Sequence, residues 1–312
     1  MRVTANTFPN SLVDQLSKLA GRQNQLQNQA ATGQRITLPE DDPRGMQRVL
    51  DLQTEGSAIG QYQRNIATMG DVAKAGYQVL RGLKGISDRA AVLATNSVST
   101  DVSPEQLTLN AGLVRDLIKE AFQLTQTRFQ GDYLLSGTRT DTAPFTMTTD
   151  ANGYVTAVIY QGNQSVIERE VAEGSTMEVQ AIGANSSGSG PRGVITDSRF
   201  GADFFNHLIS LQNHLLARDT AAITNTDRPA MAKDEDNLVL HLGSNAATQA
   251  RLEASDKLLA TRSLTVEKQV SREADADLAQ TIVRLGQVQN SYRAALDSGA
   301  RLLNQSLLDY IR

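Results

Sequence analysis

The sequence predicts a mostly α protein: an elongated antiparallel helical bundle and coiled coil built from both chain ends, with a small β-rich domain inserted. Two observations carry this prediction. Apolar residues recur about every 3.5 positions near both termini, and short runs rich in Thr, Val, Ile and Tyr lie in the middle of the chain. Apolar residues at that spacing form a seam along one side of a helix, and a seam needs a partner. The two chain ends can supply that partner to each other.

The composition of the chain excludes several kinds of functional site and partner. The 312 residues include no cysteine, so disulfides, thiolate metal sites and cysteine nucleophiles are excluded. No apolar run is long enough to cross a bilayer, and the first ten residues lack the apolar core of a signal peptide. Without a dense basic cluster that is interleaved with aromatic residues, a nucleic-acid partner is not expected.

The first helix is predicted to begin near Asn10 or Ser11, after Pro9, and to end around Gly33. A matching seam closes the chain. We predict that both seams contact partner helices through one set of apolar residues: Leu12, Leu16, Leu19, Leu26, Leu278, Ile282, Leu285, Tyr292, Leu296, Leu303, Leu307, Tyr310 and Ile311. From spacing alone, these seams could form an intramolecular core, a coiled-coil dimer or a polymer interface.

The second helix is predicted from Pro43, capped by Asp42, to about Ser97. Its repeated glycines would each cost up to about 1 kcal/mol, which indicates close approach of neighbouring helices. The sequence Ser103-Pro-Glu-Gln106 is a capping box that opens a third helix, expected to end near Gly131.

Strand signals follow in Thr146–Thr149 and Tyr154–Tyr160, joined by a hairpin at Asp150–Gly153. Weaker runs cover Ser165–Val171 and Thr176–Ile182, and Asn185–Gly193 is interpreted as a flexible loop or linker.

A further helix is predicted at Ala202–Ala217. It is followed by a predicted loop around Asn225–Pro229 and a long helix from about Ala230. That helix carries a heptad-spaced series that would face its neighbours: Leu238, Asn245, Leu252, Leu259 and Val266. The predicted domains are 1–34 with 277–312, 35–142 with 196–276, and 143–195.

Candidate chemistry is sparse. His207 and His214 lie seven apart on a predicted helix, but no third ligand is suitably spaced, so no metal site is predicted. Asp42 is better explained by capping and Asp275, with Asp277, by a helix junction than by acid–base chemistry. Gly188-Ser-Gly190 lacks the Lys-Ser/Thr of a phosphate loop. We therefore predict no catalytic, cofactor or metal residues.

Several motifs resemble the bacterial flagellin superfamily, and within it the hook–filament junction members. Ala31–Pro43, ATGQRITLPEDDP, is similar to the signature SGKRINxPSDDP. Further similarities lie at Met1–Thr4, Leu134–Thr138, Pro144–Phe145, Tyr160–Gly162, Asp275–Asp277 and Leu307–Ile311. The Asp-Tyr-aliphatic ending is typical of junction proteins, whereas filament flagellins usually end in SLL and one or two residues.

The resemblance implies a secreted structural subunit of the flagellum, exported unfolded by the flagellar type III apparatus, with terminal coiled coils lining a tube. It implies self-assembly into a ring or tube layer. The implied partners are another hook-associated protein, flagellin and an export chaperone, with no nucleic acid, membrane or cofactor. Two alternatives stay open: a flagellin filament subunit, and a β-domain enzyme acting on cell-wall polymer.

Overall fold

A computed structural model describes the backbone of residues 7–99 and 101–310, and the side chains of 11–99 and 101–301. The chain divides into two compact units. One comprises the described parts of Met1–Gly60 and Thr261–Arg312, and the other comprises Gln61–Ala260. The predicted fold class is confirmed: long helices from both ends of the chain pack together, and short strands form a small insert.

The terminal helices are α1 (Thr7–Thr32) and α7 (Leu278–Tyr310). Helix α1 begins earlier than predicted, so Pro9 lies in its first turn. Proline is tolerated there because the N–H groups of the first turn have no helical acceptor.

Helix α2 (Pro43–Asn96) and helix α3 (Pro104–Thr125) begin where the sequence predicts. The capping box is confirmed, because Gln106 N donates to Ser103 Oγ and Ser103 N donates to Gln106 Oε1. One face of α2 is apolar and buried, from Ile59 through Leu83 to Ala94. Gly82 lies against Leu124: a Cβ there would be 2.7 Å from Leu124 Cδ1.

The predicted end of the third helix near Gly131 is wrong. The chain leaves the helix at Thr125 and forms a hairpin of β1 (Arg128–Phe129) and β2 (Asp132–Tyr133). Gln130 and Gly131, between these strands, both have positive φ, which is the geometry of a two-residue hairpin turn.

The insert contains two hairpins and a three-stranded sheet. The predicted hairpin is confirmed, with Asp150 Oδ1 accepting from Asn152 N and Tyr154 N in the turn. The strands are β3 (Phe145–Thr149) with β4 (Val155–Tyr160), β5 (Glu168–Ala172) with β6 (Ser175–Glu178), and β7 (Ile182–Asn185), β8 (Gly193–Asp197) and β9 (Ala202–Asp203). Strands β7 and β8 pair in parallel, and the other pairs are antiparallel.

The segment Asn185–Gly193 is a loop between β7 and β8, as one of the two predicted alternatives has it, and side-chain hydrogen bonds organise it. The Asn185 side chain is fully buried, and its Nδ2 donates to the carbonyls of Ser189 (2.7 Å) and Pro191 (2.6 Å). Its Oδ1 accepts from Ser187 N at 2.9 Å and from Gly188 N at 3.2 Å. One amide therefore organises the loop between β7 and β8.

Helix α4 (Phe204–Ala217) leads into the short α5 (Thr220–Ala222), the π-helix Ile223–Asp227 and helix α6 (Arg228–Ala274). The predicted loop at Asn225–Pro229 is therefore wrong, because the chain stays helical. Pro229 has no N–H to give to the carbonyl four residues earlier, and Arg228 N donates instead to Ile223 O. Helix α6 buries the predicted series at Leu238, Leu252 and Val266.

The core of the second unit is built around α4. Phe205, Leu208, Leu211 and Leu215 are buried there among side chains from α2, α3 and the strands. Gln212 ties α4 to β4, since its Oε1 accepts from Val155 N and its Nε2 donates to Val155 O. In the first unit, Arg262 of α6 pairs with Glu55 of α2.

We predict that Asn185→Ala opens the loop between β7 and β8. The variant loses several hydrogen bonds from a buried amide, a local cost of about 1–3 kcal/mol. The measurement is the rate of proteinase K cleavage within residues 186–192. Ser186→Ala, at an exposed neighbour, is the matched control and should cleave at the wild-type rate. Equal rates for the two variants would contradict the role of Asn185.

Candidate polymerisation interface

Helices α1 and α7 pack against each other in antiparallel directions. Near one end of the pair, a Cβ on Gly299 would meet Leu12 Cδ2 at 2.5 Å, so the helices approach closely there. Near the other end, Gly33 O accepts from Ala276 N at 2.8 Å. Leu12, Leu16 and Leu19 are half-buried, and Leu26 is 8% exposed. The predicted pairing of the chain ends is confirmed.

The covered side of α7 differs in part from the predicted seam. Its covered residues alternate at steps of four and three: Thr281, Leu285, Val288, Tyr292, Ala295 and Gly299. Of the predicted seam residues, Leu285 and Tyr292 lie on this side.

Three other predicted residues form an exposed stripe on α7. Leu278, Ile282 and Leu296 are 47%, 60% and 45% exposed. Leu278 and Leu296 are 18 residues apart, which is five helical turns, so they lie on the same side of the helix. We call Leu278, Ile282 and Leu296 the α7 stripe. The side chains of Leu303, Leu307 and Tyr310, and the whole of Ile311, lie outside the described residues.

The base of the helix pair is closed by backbone hydrogen bonds between two connectors. Arg35 N donates to Ala274 O at 2.6 Å, and Gln34 forms an antiparallel bridge with Asp275. Gly33 ends α1 with φ of 73°, a conformation that favours glycine. We call these crossing segments, residues 33–42 and 273–277, the clasp.

Arg35 holds the clasp together with its side chain. Its Nη2 donates to Glu273 O at 2.7 Å, and its Nη1 lies 3.3 Å from Asp42 Oδ2. Glu273 in turn pairs with Arg48 at 2.8 Å, and this contact lowers the pKa of the Glu273 carboxyl. A guanidinium can bind two acceptors at fixed angles, which an ammonium cannot.

The acidic residues of the clasp act on the backbone. Asp41 Oδ2 accepts from Leu38 N, Thr37 N and Thr37 Oγ1 at 3.0–3.1 Å, and the backbone donors lower the pKa of Asp41. Asp42 Oδ1 accepts from Gly45 N, which confirms its predicted capping role and lowers its pKa. Asp277 caps α7 in the same way through Gln280 N.

Sequence reasoning missed Arg35 and Glu273 as clasp residues. Arg35 stands inside the motif quoted above, and that was the available signal. Glu273 gave none, because its contact with Arg35 joins positions 238 apart.

The histidines lie elsewhere. His207 and His214 of α4 contact Asp234 and Asp227, and His241 Nε2 lies 3.1 Å from Gly193 O. Among the described residues, no group of three or more His, Cys, Asp or Glu side chains is arranged to hold a metal ion. Within the same residues, no helix is both long and apolar enough to cross a membrane.

Comparison with known proteins shows what the N-terminal part is similar to. Residues 3–140 match the family described as the bacterial flagellin N-terminal helical region. The chain as a whole is 24% identical over 294 residues to flagellar hook-associated protein 3 of Salmonella typhimurium, covering 87% of this chain and 89% of that protein. The resemblance indicated by the motifs is confirmed.

Solved structures share the fold of this chain. A Vibrio parahaemolyticus protein assigned as flagellar hook-associated has a TM-score of 0.64 at 20% identity, over 75% of this chain and 100% of that one. FlgL of Bacillus cereus has a TM-score of 0.54 at 16% identity, over 70% of this chain and 97% of that one.

We predict that Arg35→Lys loosens the clasp. A lysine loses the forked contact with Glu273 O and Asp42, a cost of about 1 kcal/mol at this partly exposed site. Hydrogen exchange at the backbone amides of residue 35 and of Ala276 should be about fivefold faster in the variant than in wild type. Arg44→Lys, at an exposed position in the first turn of α2, is the control, and its amides should exchange at the wild-type rate. Unchanged exchange in Arg35→Lys would contradict the clasp.

We also predict that the contribution of Asp41 to folding stability depends on pH. Because its pKa is lowered from 3.8 in the folded chain, its contribution is full well above pH 3.8 and is lost as the pH falls through the lowered pKa. Asp41→Asn should therefore have a lower thermal midpoint than wild type at pH 7. Below the lowered pKa of Asp41 the two midpoints should be equal. Thermal unfolding followed by circular dichroism measures both. A difference independent of pH would refute this.

Proposed function

We propose that this chain is a structural subunit of the bacterial flagellum, located at the junction between the hook-associated layer and the flagellin filament. Two observations support the proposal. The relative from Salmonella typhimurium is named flagellar hook-associated protein 3, and the similarity extends over most of both chains. Residues 3–140 match the bacterial flagellin N-terminal helical region.

The α7 stripe is the observation that carries the assembly part of this proposal. An exposed apolar stripe beside a helix pair is a surface suited to a further helix. We place the contact between subunits there, and extend it to the seam residues of α1 and to Leu303, Leu307, Tyr310 and Ile311. The 1–34 and 277–312 segments would then form the polymerisation domain, 35–142 with 196–276 a long-helix domain, and 143–195 an outer β domain.

The proposal also covers the partners of the subunit and the pathway by which it is exported. The subunit would assemble with copies of itself, another hook-associated protein and flagellin, after export by the flagellar type III apparatus with a chaperone. It would act outside the cell and have no catalytic role. In keeping with that, Ser210, His214 and Asp227 lie together, but the serine hydroxyl donates directly to the carboxylate at 2.7 Å. Ser210 and Asp227 both approach Nδ1 of the imidazole, at 3.5 and 2.7 Å, whereas in a catalytic triad the serine and the carboxylate contact different ring nitrogens.

A filament subunit is the second candidate, favoured by the match to flagellins. Immunogold labelling separates the two. A junction protein is labelled in one short zone beyond the hook, whereas a filament protein is labelled along the whole filament.

We predict that Ile282→Asp with Leu296→Asp abolishes assembly and leaves the fold intact. Both side chains are exposed in the single chain, so folding loses little. A buried leucine or isoleucine is worth roughly 1.5–3 kcal/mol at an interface, and an unpaired buried carboxylate adds several kcal/mol. The expected phenotype is bare hooks, with variant protein and unpolymerised flagellin in the culture medium.

Val283→Asp is the matched control. Val283 is as exposed as Ile282, at 60%, but lies about 100° further around α7. It should assemble normally. Normal filaments on the double variant, or loss of filaments in the control alone, would contradict the assigned surface.

A further inference from the structure

Helix α4 is fastened to the helical segment that follows it by two His–Asp contacts. His207 Nδ1 lies 2.8 Å from Asp234 Oδ2, and His214 Nδ1 lies 2.7 Å from Asp227 Oδ2. The histidines are seven residues apart, about two helical turns, and so are the aspartates. The two contacts therefore lie two helical turns apart along a pair of antiparallel segments.

Both carboxylates are almost inaccessible to water. The Asp234 side chain is 2% exposed and that of Asp227 is 1% exposed. Their other oxygens are also used: Asp234 Oδ1 accepts from Asp203 N, and Asp227 Oδ1 accepts from Ser210 Oγ, both at 2.7 Å. Those donors are neutral. A buried carboxylate is costly without a positive partner, and the imidazoles are the contacting groups that can carry a positive charge.

The elements around α4 add few charges that could replace an imidazolium. Strand β4 carries none, β8 contributes Asp197 in a pair with Arg199, and Arg115 of α3 pairs with its neighbour Asp116. Asp203 also faces His207. The other charged residues on α3, at the α4 end and at the start of α6 are Glu105, Lys119, Glu120, Arg218, Asp219, Arg228, Lys233, Glu235 and Asp236.

The direction of the proton coupling follows from the His207–Asp234 pair. The hydrogen bond to Asp234 raises the pKa of His207 above 6.5, and burial raises the pKa of Asp234 above 3.8. Both shifts mean that the folded pair holds protons more tightly than the unfolded chain. The stabilisation is complete below pH 6.5 and is lost as the pH rises through the raised pKa of His207.

We propose that the His207–Asp234 contact is a pH-sensitive lock between α4 and α6, closed while the His207 imidazole is protonated and released as the pH rises. Release leaves the buried Asp234 carboxylate without a counter-charge inside the second unit, and the His214–Asp227 contact remains as a second link between the same segments. The lock does not depend on the assembly role, since α1 and α7 take no part in it.

The first test is a nuclear magnetic resonance titration of the full chain, whose sequence contains three histidines. Single His→Gln variants assign the signals. His207 should titrate above 6.5, and His241, whose pKa is lowered by burial, below 6.5. The lock is overturned if His207 titrates at or below 6.5.

The second test is urea unfolding of the full chain at about pH 6 and about pH 9. Each unit by which the pKa of His207 is raised weakens the wild-type folding equilibrium about tenfold between these conditions. His207→Gln should lose most of that dependence, and His241→Gln should keep it. If His207→Gln fails to fold, the titration of His207 in the wild-type chain decides. A variant lacking His207 that loses as much stability with pH as wild type overturns the proposal.

Discussion

Helix α7 presents more apolar surface than α1 can cover, and the arrangement of the chain ends depends on this excess. A single helix covers one side of its partner. Here that side runs from Thr281 to Gly299, and it leaves Leu278, Ile282 and Leu296 in water. Exposed apolar side chains in one line cost free energy in a single chain and regain it when another surface removes them from water.

The clasp sets the register of this pair. Hydrogen bonds from Arg35 N to Ala274 O and from Ala276 N to Gly33 O fix the two connectors against each other. With the base fixed, the antiparallel helices can meet in one register, in which Gly299 faces Leu12. The side of α7 that stays exposed is therefore decided at the clasp, as far along the helix as Leu296. An error in the clasp would displace the whole stripe.

Features set by neighbouring residues were predictable from the sequence. The caps at Asp42 and Ser103, the Asp150 turn and the heptad series of α6 depend on spacings of two to seven residues. Other features depend on contacts that no local pattern reveals. The buried Asn185 amide turns a Ser/Gly-rich stretch into a defined loop, and Pro229 is accommodated by a π-helix instead of ending the helix. The seam of α7 was predicted only in part, because its apolar residues occupy two adjacent sides and periodicity does not say which one α1 takes.

The most direct test of the α7 stripe uses single cysteines, since the sequence has none of its own. Ile282→Cys and Val283→Cys would each be labelled with a maleimide, in purified chain and in intact flagella. The account predicts that both react in the purified chain and that only Cys at 283 reacts in flagella. Equal reactivity of both positions in flagella would contradict it, because position 282 would then still face water after assembly.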